Sequence, residues 1–162
     1  MEIRKSTSHD LETILWLIDE GRKKMVAQGN LKQWSNGHPT LEQIEKDIAG
    51  GNSYLVEDEG RAIATFALIE GPDPTYSVVY NGAWLDDSPY YVIHRIASCS
   101  GVHGIMQRVV DYAFTKTKTV RIDTHEDNIA MRNLMKKLDF VYCGIIHLAN
   151  GDPRLAYQKT IV

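Results

Sequence analysis

The chain has 162 residues, 43% of them hydrophobic, and a formal net charge of -3. That length and apolar content suit one ordinary domain with a sizeable core, and the slight negative charge excludes a general pull toward nucleic acid or anionic membrane. No apolar run approaches the roughly 18 residues of a membrane span, the start Met1-Glu2-Ile3-Arg4-Lys5 lacks the apolar stretch of a signal peptide, and Cys99 and Cys143 are too few for a disulfide framework. With no repeat, low-complexity tract or linker, the expectation is a single cytoplasmic domain over residues 1–162.

Glu2 to Lys5 reads as a short strand. Thr7 and Asp10 have capping-box spacing, and Leu11, Ile14, Leu15, Ile18 and Met25 then keep one face of a helix that Gly29 stops. Asn30 to Pro39 is a loop. Thr40 and Gln43 repeat the capping spacing, and Leu41, Ile44 and Ile48 predict a second, short helix closed by Gly50-Gly51. From Ser53 the period changes. Tyr54 to Val56, a turn at Asp58-Glu59-Gly60, and Ala62 to Ile69 predict a hairpin. Gly71-Pro72-Asp73-Pro74 breaks it, Tyr76 to Tyr80 reads as a further candidate strand, and Asn81-Gly82 as a turn.

Tyr90 to Ala97 is apolar on both faces except at His94 and Arg95, as expected of a buried strand. Ser98 to Gly104 is too small and polar to continue a sheet, and Ile105, Val109, Tyr112 and Ala113 then mark one face of a helix. A strand that turns through glycine into a helix leaves backbone N–H groups free. Those amides and the positive end of the helix dipole favour an anion. Val120 to Thr124 reads as a strand, Met131, Leu134, Met135 and Leu138 as a helix, and Phe140 to Leu148 with Leu155 to Lys159 as a closing hairpin. The order β-α-α-β-β-β-α-β-α-β-β implies a mixed α/β (α+β) fold, its sheet covered by about four helices.

That order resembles the GNAT family of N-acetyltransferases over essentially the whole chain. The family's cofactor turn, Gln/Arg-x-x-Gly-x-Gly/Ala, aligns with Gly101-Val102-His103-Gly104-Ile105-Met106. Gly104 agrees, whereas Gly101 replaces the Gln/Arg and Met106 the small last residue. The later pattern Asn-x-x-Ala-x-x-x-Tyr-x-x-x-Gly-Phe aligns with Asn128 to Phe140. Its ends agree, and Met131, Met135 and Asp139 differ. The resemblance implies a mostly antiparallel sheet and acetyl-coenzyme A (acetyl-CoA) as cosubstrate, without a metal. The diphosphate would meet Gly101, Val102, His103, Gly104, Ile105 and Met106, while Ile96, Ala97 and Ser98 would offer strand-edge amides to the pantetheine arm and thioester. Asn128 would contact cofactor or ordered water, and Arg132 the cofactor's 3′-phosphate. A bulky Met106 threatens the close approach that glycine or alanine permits. The family's acidic tyrosine is Met135 here, which donates no proton.

The acceptor implied is a primary amine of a small molecule or peptide. His94, Asp123 and His125 are the candidate catalytic residues. An imidazole ordinarily titrates near neutral pH, and strand ends are where α/β sheets bind ligands. Each also has a purely structural reading: a satisfied polar group in the core for His94, helix-capping chemistry for the Asp123 to Asn128 segment. Arg132 with Lys136 also reads as a solvated helix face. Trp34, Trp84, Tyr80 and Tyr90 line an acceptor pocket or simply the core. Glu70, Asp73, Asp86 and Asp87 either attract a cationic amine or stand as loop charges. Cys99 with His103 is too sparse for a metal site. Two alternatives remain: a relative that binds coenzyme A (CoA) or another ligand without turnover, and a binding domain with no cofactor. Nucleic acid and membrane are not expected partners, and the terminal hairpin is a candidate for pairing in a homodimer.

Overall fold

The computed structural model describes residues 1–162. Its elements are β1 (Glu2–Lys5), α1 (Leu11–Ala27), α2 (Leu41–Ala49), β2 (Ser53–Asp58), β3 (Arg61–Glu70), β4 (Tyr91–Ser98), α3 (Ile105–Ala113), β5 (Thr119–Thr124), α4 (Ile129–Lys137), β6 (Val141–His147) and β7 (Pro153–Thr160). The order matches the expected one element for element, and its capping signals work as read. Thr7 and Asp10 close a capping box on the turn before α1, and the Thr40 side chain accepts from the Gln43 N–H at the head of α2. No helix is long and apolar enough to cross a membrane.

The strands form one seven-stranded sheet in the order β1-β2-β3-β4-β5-β7-β6. Every neighbouring pair is antiparallel except β4 with β5. The main core joins Ile14, Leu17 and Ile18 of α1 to Leu55, Phe66 and Ile93 of the sheet and to Val109, Val110 and Met135 of the later helices. A smaller core of Tyr76, Val92, Ile146 and Ala156 packs separately, with Trp84 and Tyr90 against it.

The Tyr76 to Tyr80 segment is not a strand. Pro74–Tyr76 forms a short 3-10 turn capped by the Asp73 carboxylate, and Tyr80 makes only an isolated bridge to Ile145. Pro74 has no N–H to give a ladder, and the Asp73 side chain competes for the amide that follows.

Two irregularities at the centre of the sheet create space. β4 pairs with β5 only at Tyr91–Val120 and Val92–Arg121, after which the two strands part. On its other side Thr65 faces Ala97 and Ala67 faces His94, so Arg95 and Ile96 together oppose Phe66 in a bulge. Arg95 there is left-handed, at φ 52°. The splay and the bulge leave the second half of β4 open along one edge.

Candidate active site

At the end of β4 the chain passes through Cys99 to Gly104 and enters α3, with Gly104 at φ 76° as its N-cap. That left-handed value is free for glycine and costs other residues. None of the amides from Val102 through Gln107 donates to an acceptor within the protein, and Arg108 is the first of the helix to do so, to the Gly104 carbonyl. The unpaired amides and the helix dipole point the same way, at whatever anion lies before the turn. A cleft of about 430 Å³ runs along this turn, walled by residues 96–98 and 102–107, by Lys24 and Met25 of α1, and by Asn128, Met131 and Leu134 of the α4 region. The Lys24 ammonium donates to Ser98 Oγ and to the Cys99 carbonyl, both at 2.7 Å. Burial pulls its pKa below the ordinary lysine value. Gly21 permits the close approach of α1, because a Cβ there would stand 2.8 Å from Ala97 Cβ and 3.1 Å from the Trp34 ring.

The cleft opens into a cavity of about 500 Å³, and Met25, Ile96, Met106, Asn128 and Met131 belong to the walls of both. Met106 is buried in the main core as well as forming part of both walls. The cavity lies beneath the splay of β4 and β5. His94 Nε2 bonds Asp73 Oδ2 at 3.0 Å, and the Tyr76 hydroxyl donates to Asp123 Oδ2 at 2.6 Å. Burial alone would raise the Asp73 carboxyl, but the bonds from His94 and Thr75 outweigh it and hold the group down at about 2. Burial, with the Asp123 charge beside it, pushes the Tyr76 phenol well above the ordinary range, so it stays a donor. Arg95, on the bulge, donates from Nε and Nη2 to the two carboxylate oxygens of Asp47 at 2.6 and 2.8 Å. Gln33 staples the loop after α1 over the site, since its Oε1 accepts from Thr124 Oγ1, the His125 amide and Asn128 Nδ2.

The structure therefore gathers His94 and Asp123 in the cavity, and residues 96–98 and 102–106 in the cleft, with Asn128 between them. Asn128 also caps α4, its Oδ1 accepting from the Met131 amide. Three expected residues stand apart from both spaces. Gly101 is exposed on the outer side of the turn. The His125 ring is turned back on its own loop, where Nδ1 accepts from the Asp127 amide at 3.0 Å. Arg132 donates to the Glu126 carbonyl and lines a separate groove with Lys136 and Tyr142. Lys24, Gln33 and Arg154, absent from the sequence-based candidates, do line the site. Nothing local marks them, since each reaches it through contacts with distant segments.

A scan against sequence models of protein families matches none, and a search of curated proteins finds no match. Solved structures do match. A GNAT-family acetyltransferase from Streptococcus agalactiae superimposes with a TM-score of 0.84 at 31% identity, covering 99% of this chain and 95% of that one. AAC(6')-Ib in complex with paromomycin and acetyl-CoA gives 0.66 at 15% identity over 98% and 92%. The NatC complex bound to Gag peptide and CoA gives 0.64 at 16% identity over 100% of both chains. Taken with the splayed β4 and β5 and the glycine turn into α3, the first of these likenesses shows that this chain belongs to the GNAT family of acetyltransferases.

Proposed function

We propose that residues 1–162 act as one acetyl-CoA-dependent N-acetyltransferase unit, moving an acetyl group to the primary amine of a small molecule or peptide. One observation carries this reading: the unpaired amides from Val102 to Gln107 face a cleft that opens into the cavity holding His94 and Asp73. Two fold neighbours hold CoA or acetyl-CoA together with a peptide or paromomycin.

Acetyl-CoA, when bound, supplies an acetyl group activated as a thioester. The turn amides of residues 102–107 receive its diphosphate, so the missing Gln/Arg side chain at Gly101 is not needed. Lys24 adds a positive charge to the same wall. The open edge of β4 offers the Ile96 and Ser98 N–H groups to a carbonyl oxygen, since Cys99 and, two residues before it, Ala97 turn theirs toward β3. One such donor contributes on the order of 100- to 1,000-fold in rate. His94 Nε2 is bonded to Asp73, which orients the ring and leaves Nδ1 to take the acceptor's proton. A base so placed contributes roughly 100- to 10,000-fold. Asp123, held by Tyr76, presents negative charge to an incoming ammonium. Met135 is fully buried and donates nothing, so the departing thiol relies on its own weak basicity, with an ordinary pKa of about 8.5.

Calorimetry with acetyl-CoA tests the reading, with an expected Kd of about 1 µM, or roughly -8 kcal/mol. Absence of heat at about 1 mM ligand, where ΔG would be near -4 kcal/mol, removes it. The apolar burial of Met135 favours one second reading, a relative that binds CoA without turnover. Thiol release with any member of an amine panel excludes that alternative.

A further inference from the structure

The cavity wall that carries Asp123 also carries a cation with no carboxylate in direct contact, Asp123 and Asp152 acting on it only from beyond ion-pair distance. Arg154 is only 5% exposed and takes part in none of the chain's ion pairs. Its Nη1 donates to the Pro153 carbonyl at 2.9 Å and its Nη2 to the Gln33 carbonyl at 3.4 Å, while Nε has no acceptor. Carbonyls satisfy hydrogens but do not neutralise a charge. The chain's other enclosed arginines are compensated. Arg95 has the Asp47 carboxylate, and Arg121 lies 4.1 Å from the ring centres of both Trp84 and Tyr90. A charge taken out of water without a paired counter-charge is costly, and for Arg154 burial, which loosens its hold on the proton, outweighs the longer-range pull of Asp123 and Asp152.

Register explains where Arg154 points. Asp123 pairs with Ala156 across β5 and β7, and Arg154 lies two residues further along β7, so both side chains share one face of the sheet. His94 and Asp123 each lie two residues beyond the last β4–β5 pair, Val92 with Arg121, and share that face too. The base, the carboxylate and the enclosed cation thus stand in a row on three neighbouring strands at the mouth of the splay. The diagonal from Asp123 to Arg154 is about 7–8 Å between backbones, a span that one small zwitterion bridges.

We propose that the amine acceptor also bears a carboxylate, as an amino acid does, with Arg154 binding that carboxylate while the amine meets Asp123 and the His94–Asp73 pair. The proposal rests on the acetyl-transfer reading and names the substrate class of the same site. A guanidinium suits it because two parallel N–H groups match the two oxygens of a carboxylate.

The test is calorimetry on the CoA-loaded protein with matched pairs of ligands, each of the standard amino acids against its own carboxamide. For at least one pair the acid binds tighter by about tenfold or more, as loss of a charged hydrogen-bond partner predicts. In R154Q that preference falls to near unity while CoA affinity is retained, and R154K keeps part of it. Steady-state thiol release with the same pairs shows the preference in KM, not in kcat. If R154Q does not fold, the wild-type comparison decides alone. Equal treatment of acids and carboxamides by wild type, or an R154Q variant that weakens both alike, overturns the proposal and leaves acetyl transfer standing. A wild-type protein that binds no CoA removes both.

Discussion

Asp47 of α2 grips Arg95 of β4 through both carboxylate oxygens, and Arg95 is the left-handed residue of the β4 bulge. The Asp47 side chain is 5% exposed, and Gln43 Nε2 donates to it as well, at 3.1 Å. The pair therefore ties α2 to the point where the sheet opens. Replacing Asp47 with Asn leaves a guanidinium without its counter-charge, at a cost of about 3 kcal/mol. Urea unfolding measures this. A change below about 0.5 kcal/mol, the scale of an ordinary surface substitution, contradicts a pinning role.

Gly21 of α1 is the second pin. In an exposed helix, Gly→Ala stabilises by about 1 kcal/mol. Here the new methyl meets Ala97 Cβ at 2.8 Å and the Trp34 ring at 3.1 Å. Ala97 is strand and Trp34 is wedged in the loop over the cavity, so α1 must shift. G21A is expected to destabilise by about 1–3 kcal/mol, as overpacked cores do. It is also expected to weaken acetyl-CoA binding, because Ala97 walls the cleft. A raised melting temperature would contradict the close packing of α1 on β4.

His94 and Asp73 make the clearest kinetic prediction. H94A lowers kcat/KM in a thiol-release assay by about 100- to 10,000-fold, with acetyl-CoA affinity unchanged. D73N leaves the imidazole without its orienting carboxylate and loses less than H94A. Equal activity of H94A and wild type at neutral pH would move the base elsewhere.

Asp73 also sets a pH dependence. Its folded pKa of about 2 lies below the ordinary 3.8, so the unfolded chain binds the proton more readily. Stability from this group is complete above about pH 4 and is lost as pH falls through about 2. Urea midpoints measured from pH 5 to pH 2 should fall, and D73N should flatten the slope. Asp10, whose bonds from Arg4 outweigh burial and hold it at about 2, acts in the same direction and leaves a residual slope in D73N.

Lys24 lines the cleft from α1. K24M removes two hydrogen bonds, to Ser98 Oγ and the Cys99 carbonyl, together with a charge on the wall facing the turn amides. CoA affinity is expected to fall by about tenfold, the equivalent of about 1.4 kcal/mol, with a shallower dependence on salt. An unchanged Kd would leave Lys24 only a link between α1 and β4.

The elements themselves were legible along the chain because their causes are local. Helices announced themselves through apolar residues three and four apart and through Thr7 and Thr40 caps. Strands showed as short apolar runs between turn formers, and the strand–glycine–helix order at residues 90–113 already implied free amides. The one misread stretch, Tyr76 to Tyr80, has a strand-like composition overridden by Pro74 and by the Asp73 cap. Within the site, the cleft residues were visible because turn and helix follow one another directly.

The cavity was not visible in the same way. His94 meets Asp73 across 21 residues, Tyr76 meets Asp123 across 47, and Gln33 meets Asn128 across 95. Such pairs exist only after strands have chosen their neighbours and register, and β4 stands beside β5, and β5 beside β7, through crossovers that no local period encodes. The same holds for the bulge at Arg95 and for the enclosed charge of Arg154. Periodicity says which face of a strand is turned inward; what that face then meets depends on long-range packing, where a shift of one residue would send every one of these side chains to the other side of the sheet.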